Sequence, residues 1–104
     1  MDAQLRKGFL ELCVLAALRE GESYGYQIIK DISKYIEISE STLYPILRRL
    51  ETSGQVDSYQ TPYNNRLRKY YRLTEAGYEA LAAFAQEKEQ LIGVLQFITG
   101  GKEA

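Results

Sequence analysis

The chain has 104 residues, 45% hydrophobic and 26% charged, with 13 basic and 14 acidic side chains for a net charge of −1. That length holds one domain, or one small domain with an appendage, of globular rather than disordered composition. No apolar run approaches the roughly 20 residues of a membrane span, no signal-peptide pattern is present, and one cysteine with no histidine excludes a disulfide framework, a zinc site and a histidine-based triad.

The first predicted element is a helix from about Gln4 to Glu20 with two apolar stripes. Leu5, Phe9, Leu12, Cys13 and Ala16 form one stripe, and Leu10, Val14 and Leu18 form the other. Two stripes exceed what one core needs, so this helix is expected to meet a partner as well. Cys13 lies inside the apolar pattern with no neighbouring cation, which marks it as buried and inert. Gly21 is placed to end the helix. A second helix is predicted from Ser23, as its cap, to about Tyr35, with Ile28, Ile29 and Ile32 inward. The tyrosines Tyr24 and Tyr26 read as packing residues.

A third helix starts near Ser41, with Pro45 in its first turn, and ends at Gly54. At about 100° per residue, Leu43, Ile46, Leu47 and Leu50 share its inner face. Ser41, Pro45, Arg48 and Thr52 lie opposite, with Thr42 and Arg49 along one edge and Tyr44 along the other. Two strands follow, Gln55–Thr61 and Arg66–Leu73, joined by Pro62-Tyr63-Asn64-Asn65 as a turn. In the second strand Leu67, Lys69, Tyr71 and Leu73 alternate with Arg66, Arg68, Tyr70 and Arg72. From Thr74, a cap, a single long helix is predicted to run to Gly100–Gly101. Its span, about 39 Å at 1.5 Å per residue, exceeds the body. It stays apolar along its length, so a second copy is expected to cover it.

The fold class expected is mainly α with a two-stranded hairpin: a winged helix-turn-helix over residues 1–73 and a C-terminal dimerisation helix over 74–104. Charge distribution supports a function for it. Residues 48–72 hold Arg48, Arg49, Arg66, Arg68, Lys69 and Arg72 against only Glu51 and Asp57, while both flanks are acidic. A local basic field is what a phosphate backbone meets. Short hydroxyls at the start of the third helix approach base edges or phosphates, and its arginines pair with guanine or phosphate. The candidate DNA contacts are therefore Ser41, Thr42, Tyr44, Pro45, Arg48 and Arg49 on the helix, and Asn64, Asn65, Arg66, Arg68 and Lys69 on the wing. The alternative is a protein-interaction module whose basic hairpin docks an acidic partner. An enzyme is not expected, because the carboxylates are scattered over exposed helix positions and no base–nucleophile set is present. No metal or cofactor is expected.

The sequence resembles the PadR family of bacterial transcriptional regulators. The resemblance rests on Tyr24-Gly25-Tyr26-Gln27-Ile28, on Ser41-Thr42-Leu43-Tyr44-Pro45-Ile46-Leu47-Arg48-Arg49-Leu50-Glu51, and on Arg68-Lys69-Tyr70-Tyr71-Arg72-Leu73-Thr74-Glu75-Ala76-Gly77. It covers nearly the whole chain, with Ser41 standing where the family often has glycine. It implies a homodimeric repressor that places the third helix in the major groove; a palindromic operator is expected from the two-fold dimer, and a reducing cytoplasm from the single cysteine. The long C-terminal helix would pack against the partner and its first helix. On that reading Leu5, Phe9, Leu10, Phe84, Leu91, Leu95 and Ile98 are expected at the dimer face. The chain is similar to the short branch of the family, some of whose members bind aromatic molecules between subunits. Phe9, Cys13, Phe84, Leu91 and Leu95 are the candidate lining of such a pocket for a small aromatic effector.

Overall fold

The computed structural model describes residues 1–101; positions 102–104 of the expected C-terminal unit lie outside the described residues. Helix α1 (Ala3–Ala17) begins at Asp2, whose carboxylate accepts the N–H groups of Gln4 and Leu5 at 3.1 and 3.2 Å. It stops three residues short of the predicted end, with Leu18 as its cap and Gly21 (φ +149°) in the following turn. Its inner stripe, Leu10, Val14 and Leu18, is buried. Leu10, expected at a dimer face, is 3% exposed and belongs to the core of the single chain, because the inner stripe faces the second and third helices.

Strand β1 (Ser23–Tyr24) was not expected. Two residues carry no alternation, and Ser23 reads locally as a helix cap. It is instead a strand residue 8% exposed, and α2 (Gly25–Ile32) starts after Tyr24 without a side-chain cap. The predicted end at Tyr35 also shortens: Tyr35 lies in the turn beyond Ile32, almost fully exposed. Helix α3 (Glu40–Thr52) follows Ser39, whose carbonyl accepts the N–H groups of Thr42 and Leu43. Pro45 stands in its second turn rather than its first. The proline has no N–H to return to the Ser41 carbonyl, and Ser41 is exposed, so water can serve that oxygen.

Strands β2 (Val56–Tyr63) and β3 (Arg66–Leu73) pair in full antiparallel register from Val56↔Leu73 to Tyr63↔Arg66. The turn contains only Asn64 and Asn65, both left-handed at φ 51° and 64°. Two positive-φ residues make the mirror-image turn whose twist matches a hairpin, and asparagine tolerates it. Pro62 and Tyr63, expected in the turn, extend β2. The sheet order is β1-β3-β2, with Ser23↔Tyr71 and Tyr24↔Tyr70 joining the hairpin to the helices. Of the expected apolar face of β3, Tyr71 packs in the core and Leu73 against it, while Leu67 projects beyond the body and is 64% exposed.

Helix α4 (Glu75–Ala85) begins at Thr74, whose hydroxyl accepts the Gly77 N–H and donates to the Gly54 carbonyl at 2.5 Å. Gly77 is buried so tightly that a Cβ would overlap the Gln55 carbonyl oxygen. Helix α4 packs on α1 and β3. The single long helix is divided: the Glu87 N–H bonds back three residues to Phe84, and α5 (Lys88–Thr99) restarts from there. Every residue from Gln86 to Gln90 is polar and exposed, so no buried side chain holds the α-helical register across this stretch. Helix α5 has no buried residue and extends the molecule to 56 × 26 × 21 Å. The radius of gyration, 15.7 Å, exceeds the roughly 13 Å of a compact 100-residue body, so the predicted overhang is present.

Candidate nucleic-acid interface

Helix α3 divides as its wheel predicts. Leu43, Ile46, Leu47 and Leu50 are buried, and Ser41, Thr42, Tyr44, Pro45, Arg48 and Arg49 are exposed. The Ser39 hydroxyl lies 3.0 Å from that of Ser41 and donates to that of Thr42 at 3.2 Å, so three hydroxyls cluster at the helix start. Among the described residues Arg48 makes no ion pair. Arg49 differs: its Nε donates to Glu11 at 2.8 Å and a terminal nitrogen meets the same carboxylate. That contact turns Arg49 toward α1 and leaves Arg48 as the unpaired arginine of the outward face.

Tyr44 is fixed from an unexpected direction. Its hydroxyl lies over Gly25, where a Cβ would overlap it. Glycine at the start of α2 is thus what lets the tyrosine of α3 lie down against it. Tyr24, Gly25, Tyr26, Tyr44, Arg68, Lys69 and Tyr71 line one groove between α2, α3 and the hairpin. Tyr24 and Tyr26 were read from the sequence only as packing residues, because nothing in their spacing shows that Tyr44 comes to them. A second groove brings Ala3, Arg6 and Lys7 of α1 beside Ser41, Thr42 and Pro45. Arg6 and Lys7 lie more than thirty residues before the basic segment, so charge clustering along the chain does not reveal them.

The wing carries its cations in different states. Asn64, Asn65 and Arg66 form an exposed tip, and Arg66 makes no ion pair among the described residues. Lys69 lies 3.9 Å from Glu51, a carboxylate that also accepts the Ser58 hydroxyl at 2.5 Å. Arg72 pairs with Asp57 at 2.7 Å. The guanidinium of Arg68 lies between two rings, 3.9 Å from the centre of Tyr24 and 3.7 Å from that of Tyr63. Tyr70 meets Tyr24 edge-on and stacks on Tyr59, each at 5.7 Å. The Tyr59 hydroxyl donates to Glu22 at 2.5 Å, which pushes that phenol above its ordinary value.

The remaining expected residues separate. Leu5, Phe84, Leu95 and Ile98 are exposed, and Phe9 and Leu91 are half-buried. Phe9 and Phe84 share a shallow apolar groove with Leu5 and Leu12. Cys13, expected beside them, lines a different groove with Ala16, Ala17, Ile32 and Tyr35, because its helical position turns it toward α2. Burial pushes its thiol up. Leu91 and Leu95 line neither groove, so one chain does not assemble the expected pocket. Among the described residues, no three of Cys, Asp and Glu converge as a metal-ligating group, and no helix is long and apolar enough to cross a membrane.

Residues 14–83 match the family described as the transcriptional regulator PadR-like family. The transcriptional regulator Rv3488 of Mycobacterium tuberculosis is 32% identical over 100 residues, covering 95% of this chain and 91% of that protein. A PadR family transcriptional regulator from Eggerthella lenta is 34% identical with a TM-score of 0.82, over 95% of this chain and 88% of that one. Bacillus subtilis PadR, solved in complex with operator DNA, is 27% identical with a TM-score of 0.69, over 73% of this chain and 46% of that one.

Proposed function

Because this chain belongs to the PadR-like family of transcriptional regulators, we propose that it represses transcription as a homodimer that binds a palindromic operator in a sequence-specific manner. The observation that carries the reading is the outward face of α3. Ser41, Thr42, Tyr44, Pro45 and Arg48 form one accessible surface, with the wing tip beside it. On this reading Arg48 and the hydroxyl cluster read base edges in the major groove, while Tyr44, Asn64, Asn65, Arg66 and Lys69 hold the phosphate backbone. Arg49 contributes through its tie to α1. The structure of Bacillus subtilis PadR with operator DNA supports DNA as the partner of this fold.

The dimer reading is supported by α5, whose Leu95 and Ile98 are 50% and 70% exposed with nothing of the described chain over them. We assign the DNA-reading role to residues 1–73 and the pairing role to residues 74–101, with α4 as the joint on the body. Release by a small aromatic molecule rests on the same apolar surface. Phe9 and Phe84 of one copy would close a pocket against α5 of the other.

The test is fluorescence anisotropy with the duplex upstream of the protein's own gene, beside a scrambled duplex, across a salt series. A preference of about 10³ or more at physiological salt is expected of a specific regulator. Equal, weak and steeply salt-dependent binding to both duplexes would overturn operator recognition there. It would favour docking of an acidic protein partner on the basic hairpin.

A further inference from the structure

We propose that Arg68 is a positioning residue, whose guanidinium, held between Tyr24 and Tyr63, sets the pose of the wing against the helix-turn-helix. The consequence for binding rests on the DNA-binding reading above. The cation carries charge and lies on the wing, so its composition alone suggests a phosphate contact. Its surroundings point elsewhere. Its central carbon lies over two rings, 3.9 Å from the centre of Tyr24 and 3.7 Å from that of Tyr63, and one of its terminal nitrogens lies 3.5 Å from the Tyr70 hydroxyl.

The two rings come from the two bodies that must be aligned. Tyr63 is the last residue of β2 before the tip, and Tyr24 is the last residue of β1 before α2. Backbone pairing between β1 and β3 stops at Tyr24↔Tyr70. Beyond it, the outer half of the hairpin is held by its own ladder, and a free two-stranded ribbon is a weak structure in water. The Arg68 ring contacts bridge that gap, beside the long Lys69–Glu51 contact. A planar, weakly hydrated guanidinium stacks on aromatic rings, whereas the ammonium of lysine is a hydrated point charge with no plane to stack. Arg66, two residues earlier on the same face of β3, has no ring contact or ion pair among the described residues and is free to meet phosphate.

The experiment compares Arg68→Lys, Arg68→Ala and Arg66→Ala. Affinity is measured over a salt series for a duplex selected by the wild-type protein from a random pool. Amide ¹⁵N relaxation at Asn64 and Asn65 is measured in the free protein. Arg68→Lys and Arg68→Ala are each expected to weaken binding about fivefold with an unchanged salt slope, and to raise mobility at the tip. Arg66→Ala is expected to lower the slope by about 0.9 and leave the tip as ordered as before. Arg68→Lys binding like wild type, with Arg68→Ala lowering the slope by about 0.9, would assign a phosphate contact and overturn the proposal. Unchanged tip mobility in both Arg68 variants would overturn it too. If the wild-type protein selects no duplex, the DNA reading falls on its own, and the relaxation data still decide the role of Arg68.

Discussion

Arg48 and Arg49 are adjacent in the chain and unequal in the structure. Arg48→Ala is expected to cost about 1–3 kcal/mol and relax preference at one base position if the side chain forks onto a base. It would weaken all sequences alike if it meets only phosphate. Arg49→Ala breaks the exposed pair with Glu11, worth at most about 1 kcal/mol of folding stability, and should leave the salt slope near wild type. Matched and mismatched duplexes, with urea melts of both variants, separate these outcomes, and a variant Arg48 that binds like wild type would remove it from the interface. Gly25→Ala should displace the half-exposed Tyr44 ring from its seat, at a cost to folding under about 1 kcal/mol because the ring can swing toward solvent. Combining it with Tyr44→Ala should give much less than the sum of the two losses, because the second change removes the clash. Tyr71 supplies a pH signature. Burial, then the nearby Tyr44 and Glu51, raise its phenol above the ordinary value of 10.0. The stability that depends on neutral Tyr71 is therefore intact below pH 10 and lost as pH rises through the folded value. The urea midpoint should fall less between about pH 8 and about pH 10.5 in Tyr71→Phe than in wild type, and equal falls would contradict this.

At the scale of elements, the hairpin turn is the simplest to test. Asn65→Gly should leave stability nearly unchanged, whereas Asn65→Val should cost about 1–2 kcal/mol, because a β-branched residue resists left-handed backbone. Elements with a strong period were legible in the sequence. The four buried positions of α3 recur at helical spacing, and β3 alternates cleanly enough that its predicted limits match those observed. What was not legible came from partners distant in the chain. Strand β1 exists because Tyr71 and Tyr70 of β3 come to Ser23 and Tyr24, nearly fifty residues away. The division between α4 and α5 reflects absent packing over Gln86–Gln90, and absence leaves no mark on a sequence that is helix-forming throughout. The same holds for the interface. The outward residues of α3 follow from its wheel, but the ring sandwich around Arg68 and the Glu11 tie of Arg49 depend on contacts across the fold.

For the whole molecule, the body and the overhang make separable demands. Leu95→Glu with Ile98→Glu should leave the body folded with a cooperative melting transition, because α5 contributes no buried residue. On the dimer reading the same pair should yield a monomer by sedimentation and lose operator affinity, since two linked half-sites bind far more tightly than one. A doubly charged variant that still sediments as a dimer would place the pairing surface elsewhere. The bare α5 also has a consequence for the cell. A newly made chain displays a greasy strip with Phe97 86% exposed, the kind of surface that chaperones retain and proteases remove. Where synthesis is slow, chains would be cleared before they meet. On the dimer reading, where it is fast, pairs would form and persist. The regulator would then have a minimum working dose written into its last helix, giving its target gene a threshold response without any effector.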